Sequence, residues 1–327
     1  MNLLYIIGNG LDIAFHLKTS YQDFFDHYLE LPETDKDILA MRQEIKAQRN
    51  KTWADLEVGL GVYSAQCETK EVFLKCLNDI KKKLEAYLRG EATKIGSYSV
   101  SSLTGFISLG KFFDPEPQTR YNAYRSRLDY SLGIDIITFN YTSTLEYIFD
   151  FKNSPISFNQ HAVLRSINHI HGTLDNMMVM GVNDPSQIKN DRFNTDLDVI
   201  EDFVKPEYND ACLNNKNAIC ESLIENANII VVYGTSLGPS DDKWWKLIGS
   251  RMEETDYPLL VYLPYDEKKN KVSEPNHLRR WTRDYVAEIR QKFGITLDEK
   301  YLLSRICVAI NNPLFSITPN KREIGTK

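Results

Sequence analysis

Apolar residues arrive along this chain in two rhythms. The run Leu3-Leu4-Tyr5-Ile6-Ile7 is unbroken and stops at Gly8, the pattern of a strand buried on both faces in a parallel sheet. From about residue 20 to about residue 130 the rhythm becomes helical. Tyr21, Phe24, Phe25 and Tyr28 recur on one face, and Phe73, Leu74, Leu77, Ile80 and Leu84 on another; such stripes are core packing. Glu91–Thr119 is richer in Ser, Thr and Gly, carries Pro115 and Pro117, and reads as a loop region. The β rhythm returns at Ile134–Phe139, Ile167–His171, Met177–Met180, Ile229–Tyr233, Leu259–Leu263 and Ile306–Ile310. Helical or irregular stretches fall between, roughly at 143–150, 186–227, 240–252 and 276–292. The alternation predicts an α/β fold with an open, mostly parallel sheet. The economical organisation is a single core, about 1–15 plus 131–327, interrupted by a mainly helical insertion over about 16–130.

Composition narrows the function classes. The chain has 327 residues, 42% hydrophobic and 26% charged, enough to bury a large core without disulfides or a structural metal. Lys plus Arg is 39 against 45 Asp plus Glu, a net charge of −6, which lacks the positive field of a general nucleic-acid binder. The cysteines, Cys67, Cys76, Cys212, Cys220 and Cys307, form no C-x-x-C pair and read as reduced thiols of a cytoplasmic protein. Met1–Tyr5 has no positive lead-in and meets Gly8-Asn9-Gly10 at once, unlike a signal peptide. No run approaches the roughly 20 apolar residues that span a bilayer, so no membrane partner is expected. The charge run Asp266–Lys271 reads as a solvated loop.

Ligands of open α/β sheets bind beyond the carboxyl ends of the strands, so the residues after each apolar run carry the candidate chemistry. The first strand is followed by Gly8-Asn9-Gly10-Leu11-Asp12. The glycines permit close approach of a ligand and a following helix start favours phosphate. A plain tight turn with Asp12 as a helix cap is the alternative. After the second comes Phe139-Asn140-Tyr141-Thr142. Asn140 donates and accepts without a charge change, which suits positioning a water or a ribose hydroxyl, while Thr142 or Ser143 would serve equally as a helix cap. The third ends in His169-Ile170-His171-Gly172. His171, with an unperturbed pKa of about 6.5, suits a general base, and His169 reads as a satisfied structural histidine. The two would share a strand face, but no further ligand has metal spacing, so no metal is expected. Gly234-Thr235-Ser236-Leu237 offers hydroxyls and amides to phosphate oxygens, and a nucleophilic Ser236 would lack the G-x-S-x-G elbow. In the insertion, Trp53, Asp55 and Glu57 would share one face of a strand; helical packing with ordinary surface carboxylates is the plainer reading.

In this order, Gly8-Asn9-Gly10, Thr138-Phe139-Asn140-Tyr141, His171-Gly172 and Gly234-Thr235-Ser236-Leu237 resemble the signature segments of the sirtuin superfamily: a glycine-rich first loop, a T-x-N element, a catalytic His-Gly and a G-T-S-L nucleotide loop. More closely, the chain resembles the AbiH family of bacterial abortive-infection proteins within that superfamily. The match runs through Ile7–Asp12, Leu17–Tyr21 to Phe24, Trp53–Glu57, Thr138–Thr142 with Leu145-Glu146, His169–Gly172 and Gly234–Leu237, and it extends from residue 3 to about residue 252.

The resemblance implies a Rossmann-like, sirtuin-like sheet that binds NAD, and an anti-phage effector that hydrolyses it at the nicotinamide–ribose bond. Asn140 would orient a water or the nicotinamide ribose, and His171 would be the base. Gly8, Asn9, Gly10, Asp12, Thr138, Phe139, Gly234, Thr235 and Ser236 would form the nucleotide-binding set. Asp12 stands where sirtuins often carry a small residue, so it would either meet ribose hydroxyls or support the loop. The absence of paired C-x-x-C elements removes the zinc ribbon of sirtuin deacylases, and with it protein deacylation. The partners implied are a small-molecule nucleotide, an unknown phage-derived trigger and a possible homo-oligomer, with nucleic acid disfavoured. The alternative function is a non-catalytic sensor that binds NAD or ADP-ribose and acts through a partner.

Overall fold

The computed structural model describes residues 1–109, 115–128, 131–211, 215–265, 275–311 and 313–320. Cys212, the Asp266–Lys271 run and residues 110–114 of the region read as loop lie outside them. The strands are β1 (Asn2–Ile7), β2 (Tyr98–Ser102), β3 (Leu132–Thr138), β4 (Ile156–Asn159), β5 (Ala162–His169), β6 (Ile229–Tyr233), β7 (Leu259–Leu263), β8 (Ile306–Val308) and β9 (Ser316–Pro319). The helices are α1 (Gly10–Ala14), α2 (Tyr21–Glu30), α3 (Lys36–Gln48), α4 (Leu56–Tyr63), α5 (Lys70–Ala92), α6 (Thr104–Ile107) and α7 (Pro115–Arg125) before β3. After it come α8 (Thr144–Phe149), α9 (Leu197–Phe203), α10 (Lys205–Ala211), α11 (Lys216–Glu225), α12 (Asp242–Glu254), α13 (Pro275–Phe293) and α14 (Glu299–Arg305).

One seven-stranded sheet runs in the order β4-β5-β3-β1-β6-β7-β8. All its pairings are parallel except that of the edge strand β4, which lies antiparallel to β5. The fold class is therefore α/β with a mostly parallel sheet. The chain builds outward from β1 through β3 to β5, then returns to the other side of β1 with β6. That reversal places the ends of β1 and β6 side by side, where an open α/β sheet has its crevice.

Burial on both faces explains the unbroken apolar runs. Leu3, Tyr5 and Ile7 face one cluster with Ile134, Ile136, Val231 and Val261, covered by Leu11, Phe15, Phe106 and Phe149. Leu4 and Ile6 face the other with Ile137, Ile230, Val232 and Leu260, covered by Trp245 and Ile248 of α12 and by Val286, Ile289 and Phe293 of α13. A third cluster is helical. Phe24, Phe25 and Tyr28 of α2, Leu60 of α4 and Phe73 and Leu77 of α5 pack with Trp53 and with Met178, Met180, Val182 and Phe203. Each fully buried large side chain contributes about 1.5–3 kcal/mol, so this layer is a core in its own right. Its helices begin at side-chain caps: Ser20, Asp35, Asp55 and Thr69 each accept a backbone N–H.

Several expectations change here. Met177–Met180 is no strand: Met177 adopts a positive φ of 44° and is exposed, while Met178 and Met180 are apolar because they pack into the helical layer. The Ile167–His171 strand starts earlier and ends at His169, so His171 sits in the following turn. The Glu91–Thr119 region contains β2, α6 and the start of α7, with β2 paired to the distant β9. That pairing is set by contacts more than 200 residues apart and leaves no local pattern.

Gly10 sits where the β1 and β6 loops touch. A Cβ there would lie 2.5 Å from the Cα of Gly234, with backbone on both sides and nothing flexible to yield. Gly10→Ala is expected to lower stability by about 1–3 kcal/mol, read as a lower urea midpoint. Gly90→Ala, on an exposed turn of α5 with no atom within 4 Å, is expected to raise it by up to about 1 kcal/mol.

Candidate functional site

Four loops meet at the carboxyl ends of β1, β3, β5 and β6. The first and last are bonded to each other: Gly8 N–H donates to the Tyr233 carbonyl at 2.9 Å and Gly10 N–H to the Gly234 carbonyl at 2.7 Å. Gly234 itself has φ +66°. These glycines are accounted for by backbone meeting backbone, and the amides of Gly8 and Gly10 are committed inside the protein. Asn9 is committed too: its side chain donates to the Thr19 carbonyl at 3.0 Å and accepts from the Thr19 hydroxyl at 2.6 Å. The Thr235 hydroxyl accepts from Leu237 N–H at 2.9 Å, and Ser236 is exposed.

Asp12 does not cap α1. It is buried within that helix and accepts from the hydroxyls of Thr142 at 2.7 Å and Thr144 at 2.6 Å. Burial raises its pKa, and those two hydroxyls, His169 and Asn140 oppose the rise. Asp12 thus ties α1 to the loop after β3, and neither Thr142 nor Ser143 caps α8 with its side chain.

The chemistry centres on His171. Gly172 follows at φ +74°, where a Cβ would lie 1.8 Å from the Met177 carbonyl oxygen, so the chain turns sharply after the histidine. The ring stacks on Phe139 at 5.3 Å, and Phe139 in turn packs edge-on against Trp245. His171 Nε2 lies 2.8 Å from Asp241 Oδ1. Lys205 donates to the same oxygen at 2.9 Å and to Glu57 Oε2 at 3.0 Å. Glu57 Oε1 accepts Gly181 N–H at 3.0 Å. All four side chains are largely buried, Lys205 and Glu57 at 3% exposure each.

Their electrostatics follow from that burial. Burial alone would raise the Asp241 carboxyl, but Lys205 and then His171 outweigh it and hold it far below the usual carboxylate range. Burial opposes charge on Lys205, and the two carboxylates overcome this and raise its pKa. Glu57 is pushed up by burial, with Asp241 and Asp55 adding to the rise and Lys205 opposing it. His171 is pushed down by burial and by Lys205, against the pull of Asp241. The ring is therefore neutral near pH 7. Asp241 is an ionised acceptor, so His171 donates from Nε2 and its Nδ1 is left as a bare lone pair. Nδ1 is buried and has no hydrogen-bond partner among the described residues.

A second unpaired group lies on the adjacent strand end. Thr138 pairs with His169 in the register of β3 and β5, and Asn140 and His171 each follow two residues on. Asn140 is 6% exposed, and among the described residues neither Oδ1 nor Nδ2 makes a close hydrogen bond, although the side chain lies near enough to Asp12 to help hold that carboxyl down. Buried polar atoms without partners cost about 1–3 kcal/mol each, and native structures keep few of them outside functional sites. The Thr138 hydroxyl accepts Asn140 N–H at 3.1 Å. Tyr21 and Tyr141 border the same region; burial first, and then Glu57, raise both phenols well above the ordinary tyrosine value.

A family model described as bacteriophage abortive infection AbiH matches residues 4–262. The chain belongs to the AbiH family. No curated protein matches it. The match takes in every residue of the His171 network and ends within β7, so in this AbiH chain α13, α14, β8 and β9 lie beyond it. Membership places the protein among abortive-infection proteins, and no helix among its described residues is long and apolar enough to cross a membrane.

The AbiH fold brings Asn140 and His171 onto neighbouring strand ends and stacks Phe139 on His171. Gly8 and Gly10 bond the β6 loop, Asp12 bonds the loop after β3, Asn9 bonds Thr19, and the Thr138 hydroxyl bonds Asn140 N–H. His169 and His171 direct their rings to different carboxylates, Glu146 and Asp241. Glu57 departs from the surface-carboxylate reading, whereas Trp53 is core and Asp55 caps α4. Lys205 and Asp241 carried no sequence signal. Asp241 closes a run of loop residues, and Lys205 is a single charge in a long irregular stretch. Two surface clefts have linings that do not include His171. One of about 340 Å³ is lined by Arg89, Ser143 and Leu174, and one of about 220 Å³ lies at the opposite sheet end beside Leu132 and Ala162.

Lys205→Met strips the partner from two buried carboxylates and is expected to cost about 3–5 kcal/mol. The double variant Lys205→Met, Glu57→Leu should recover part of that loss. Equilibrium urea unfolding of both variants beside the parent checks the prediction.

Proposed function

We propose that this AbiH protein is an abortive-infection effector that hydrolyses NAD at the nicotinamide–ribose bond, with His171 as the general base. The observation that carries the reading is the bare Nδ1 of a neutral, buried His171 whose other nitrogen is held by an ionised Asp241. An imidazole oriented in this way by a carboxylate is the arrangement of a base that takes a proton at its free nitrogen. Asn140, with its amide unpaired beside it in the sheet register, supplies a neutral donor and acceptor for a ribose hydroxyl or a water.

Two further features support it. The six parallel strands take the order third, second, first, fourth, fifth, sixth along the chain, which is the order of Rossmann-like dinucleotide-binding sheets. The unpaired groups also suit the ribose end of the substrate. The first loop suits the pyrophosphate less, because the Gly8 and Gly10 amides are already bonded; Ser236, exposed on the β6 loop, is the freer donor. In the reaction, His171 Nδ1 takes a proton from water, the water oxygen bonds to the ribose carbon, and the bond electrons leave with nicotinamide. ADP-ribose is the second product. Nicotinamide is cationic in NAD and leaves neutral, so no acid is required at the leaving group.

His171 and Asn140 are only 4% and 6% exposed, so the substrate reaches them when the helical layer and the strand-end loops part. That closure suits an effector kept silent until infection. It also favours the second reading, a sensor that binds NAD or ADP-ribose without cleaving it.

Purified protein incubated with NAD and lysate from phage-infected cells is expected to release nicotinamide, and His171→Ala to lower the rate by about 10²–10⁴-fold. Because burial lowers the His171 pKa, the base form persists on acidification, and the acid limb of kcat/KM should have its midpoint below the ordinary value of 6.5. Heat of binding without nicotinamide release in calorimetry selects the sensor. Neither binding nor release rejects both readings.

A further inference from the structure

His169 and His171 leave the end of β5 two residues apart, and each ring presents Nε2 to a carboxylate. His169 Nε2 lies 2.9 Å from Glu146 Oε1, and His171 Nε2 lies 2.8 Å from Asp241 Oδ1. They differ at the other nitrogen. That of His171 is unpaired, whereas Nδ1 of His169 lies 2.8 Å from the backbone carbonyl oxygen of Asn140. A carbonyl oxygen only accepts, so Nδ1 of His169 carries a hydrogen and the ring grips the peptide group of Asn140.

The rest of that segment is held as firmly. Asn140 N–H is taken by the Thr138 hydroxyl at 3.1 Å. The hydroxyls of Thr142 and Thr144 both donate to Asp12. Tyr141 donates its hydroxyl to the Val179 carbonyl at 3.0 Å, and its own carbonyl accepts Leu174 N–H at 2.9 Å. Glu146 sits one turn into α8, so the carboxylate that orients His169 comes from the helix entered directly from the Asn140 loop. The backbone of Asn140 is thus fixed at its N–H and at its carbonyl, while its amide side chain makes no close hydrogen bond among the described residues and has only the Asp12 carboxylate near it. A satisfied structural histidine needs partners of any kind. This one turns Nδ1–H to the backbone of a residue whose amide makes no close hydrogen bond, and it shares a second hydrogen between Nε2 and Glu146 Oε1.

We propose that His169 and Glu146 are a positioning pair that aims the Asn140 amide at the substrate by holding its backbone carbonyl. This rests on the reading of Asn140 as a substrate contact. His171 with Asp241 is then the reactive histidine of the strand end, and His169 with Glu146 the orienting one. Outer partners that orient a contact group typically carry about 10–100-fold in activity.

Glu146→Leu removes the orienting carboxylate at a partly exposed position (29% exposed), and Glu146→Gln keeps a hydrogen-bonding group there. Spectra of histidine-labelled ¹⁵N protein are expected to place hydrogen on Nδ1 of His169 and none on Nδ1 of His171. The Asn140 side-chain amide is expected as one sharp pair in the parent and in Glu146→Gln, and as a broadened or split pair in Glu146→Leu. In nicotinamide release, Glu146→Leu should lower kcat about 10–100-fold with KM within about twofold, and Glu146→Gln should restore kcat. An unprotonated Nδ1 on His169, or an Asn140 amide indifferent to Glu146→Leu, overturns the proposal whether or not NAD is cleaved. A kcat unchanged in Glu146→Leu overturns it as well. If the parent releases no nicotinamide, the NAD reading fails while the spectra still decide the pair.

Discussion

The ammonium of Lys205, buried between Glu57 and Asp241, is the interaction on which the site depends. Its two partners, and the ring that one of them holds, come from separate parts of the molecule: Glu57 from α4 in the helical layer, Asp241 from the loop after β6, and through Asp241 the His171 ring from the turn after β5. Removing such charges from water costs several kcal/mol per ion, and only good geometry on every member offsets it. The arrangement is therefore poor value as a source of stability alone. What it does is hold Asp241 ionised, and an ionised Asp241 settles which nitrogen of His171 carries the hydrogen. Asp241 occupies the N-cap position of α12 yet makes no capping bond with its side chain, whose Oδ1 meets Lys205 and His171.

The same economy runs through the neighbouring loops. Glycines at β1 and β6 let two strand ends bond backbone to backbone, which closes the crevice where the sheet order reverses. Asp12 draws in Thr142 and Thr144, and His169 with Thr138 draws in Asn140. Almost every polar group near the strand ends is spent on another protein group. Against that background the Nδ1 of His171 and the amide of Asn140, both buried and without a close hydrogen bond among the described residues, stand out. Both are closed over, so access to them is bound to the docking of the helical layer through Lys205.

Much of the fold was legible from patterning. β1, β3, β6 and β7 are buried on both faces, and burial on both faces writes unbroken apolar runs. The stripes on α2 and α5 write a period of 3.6. Where one pattern has two causes, the reading failed: Met177–Met180 resembles a strand, but Met178 and Met180 pack into the helical layer. The short edge strand β4 and the β2–β9 pair left no distinct run. Asn140 and His171 were legible as polar residues that end apolar runs, the position from which open sheets present chemistry. Lys205 and Glu57 were not, since a lone charge in a helical stretch is ordinarily solvated.

Sequence alone determined the class of sheet, the strand ends that bear Asn140 and His171, and the family resemblance carried by their motifs, because these are local features of apolar period and short spacing. Tertiary structure decided the rest. It turned Glu57 inward, placed Lys205 beside it across 148 residues, assigned one carboxylate to each histidine, and committed the glycine loop to its neighbour instead of leaving it open. Those outcomes depend on burial and on partners distant in the chain. A hydrogen bond or a desolvated charge gains its energy from what surrounds it, and the surroundings exist only once the layers have packed.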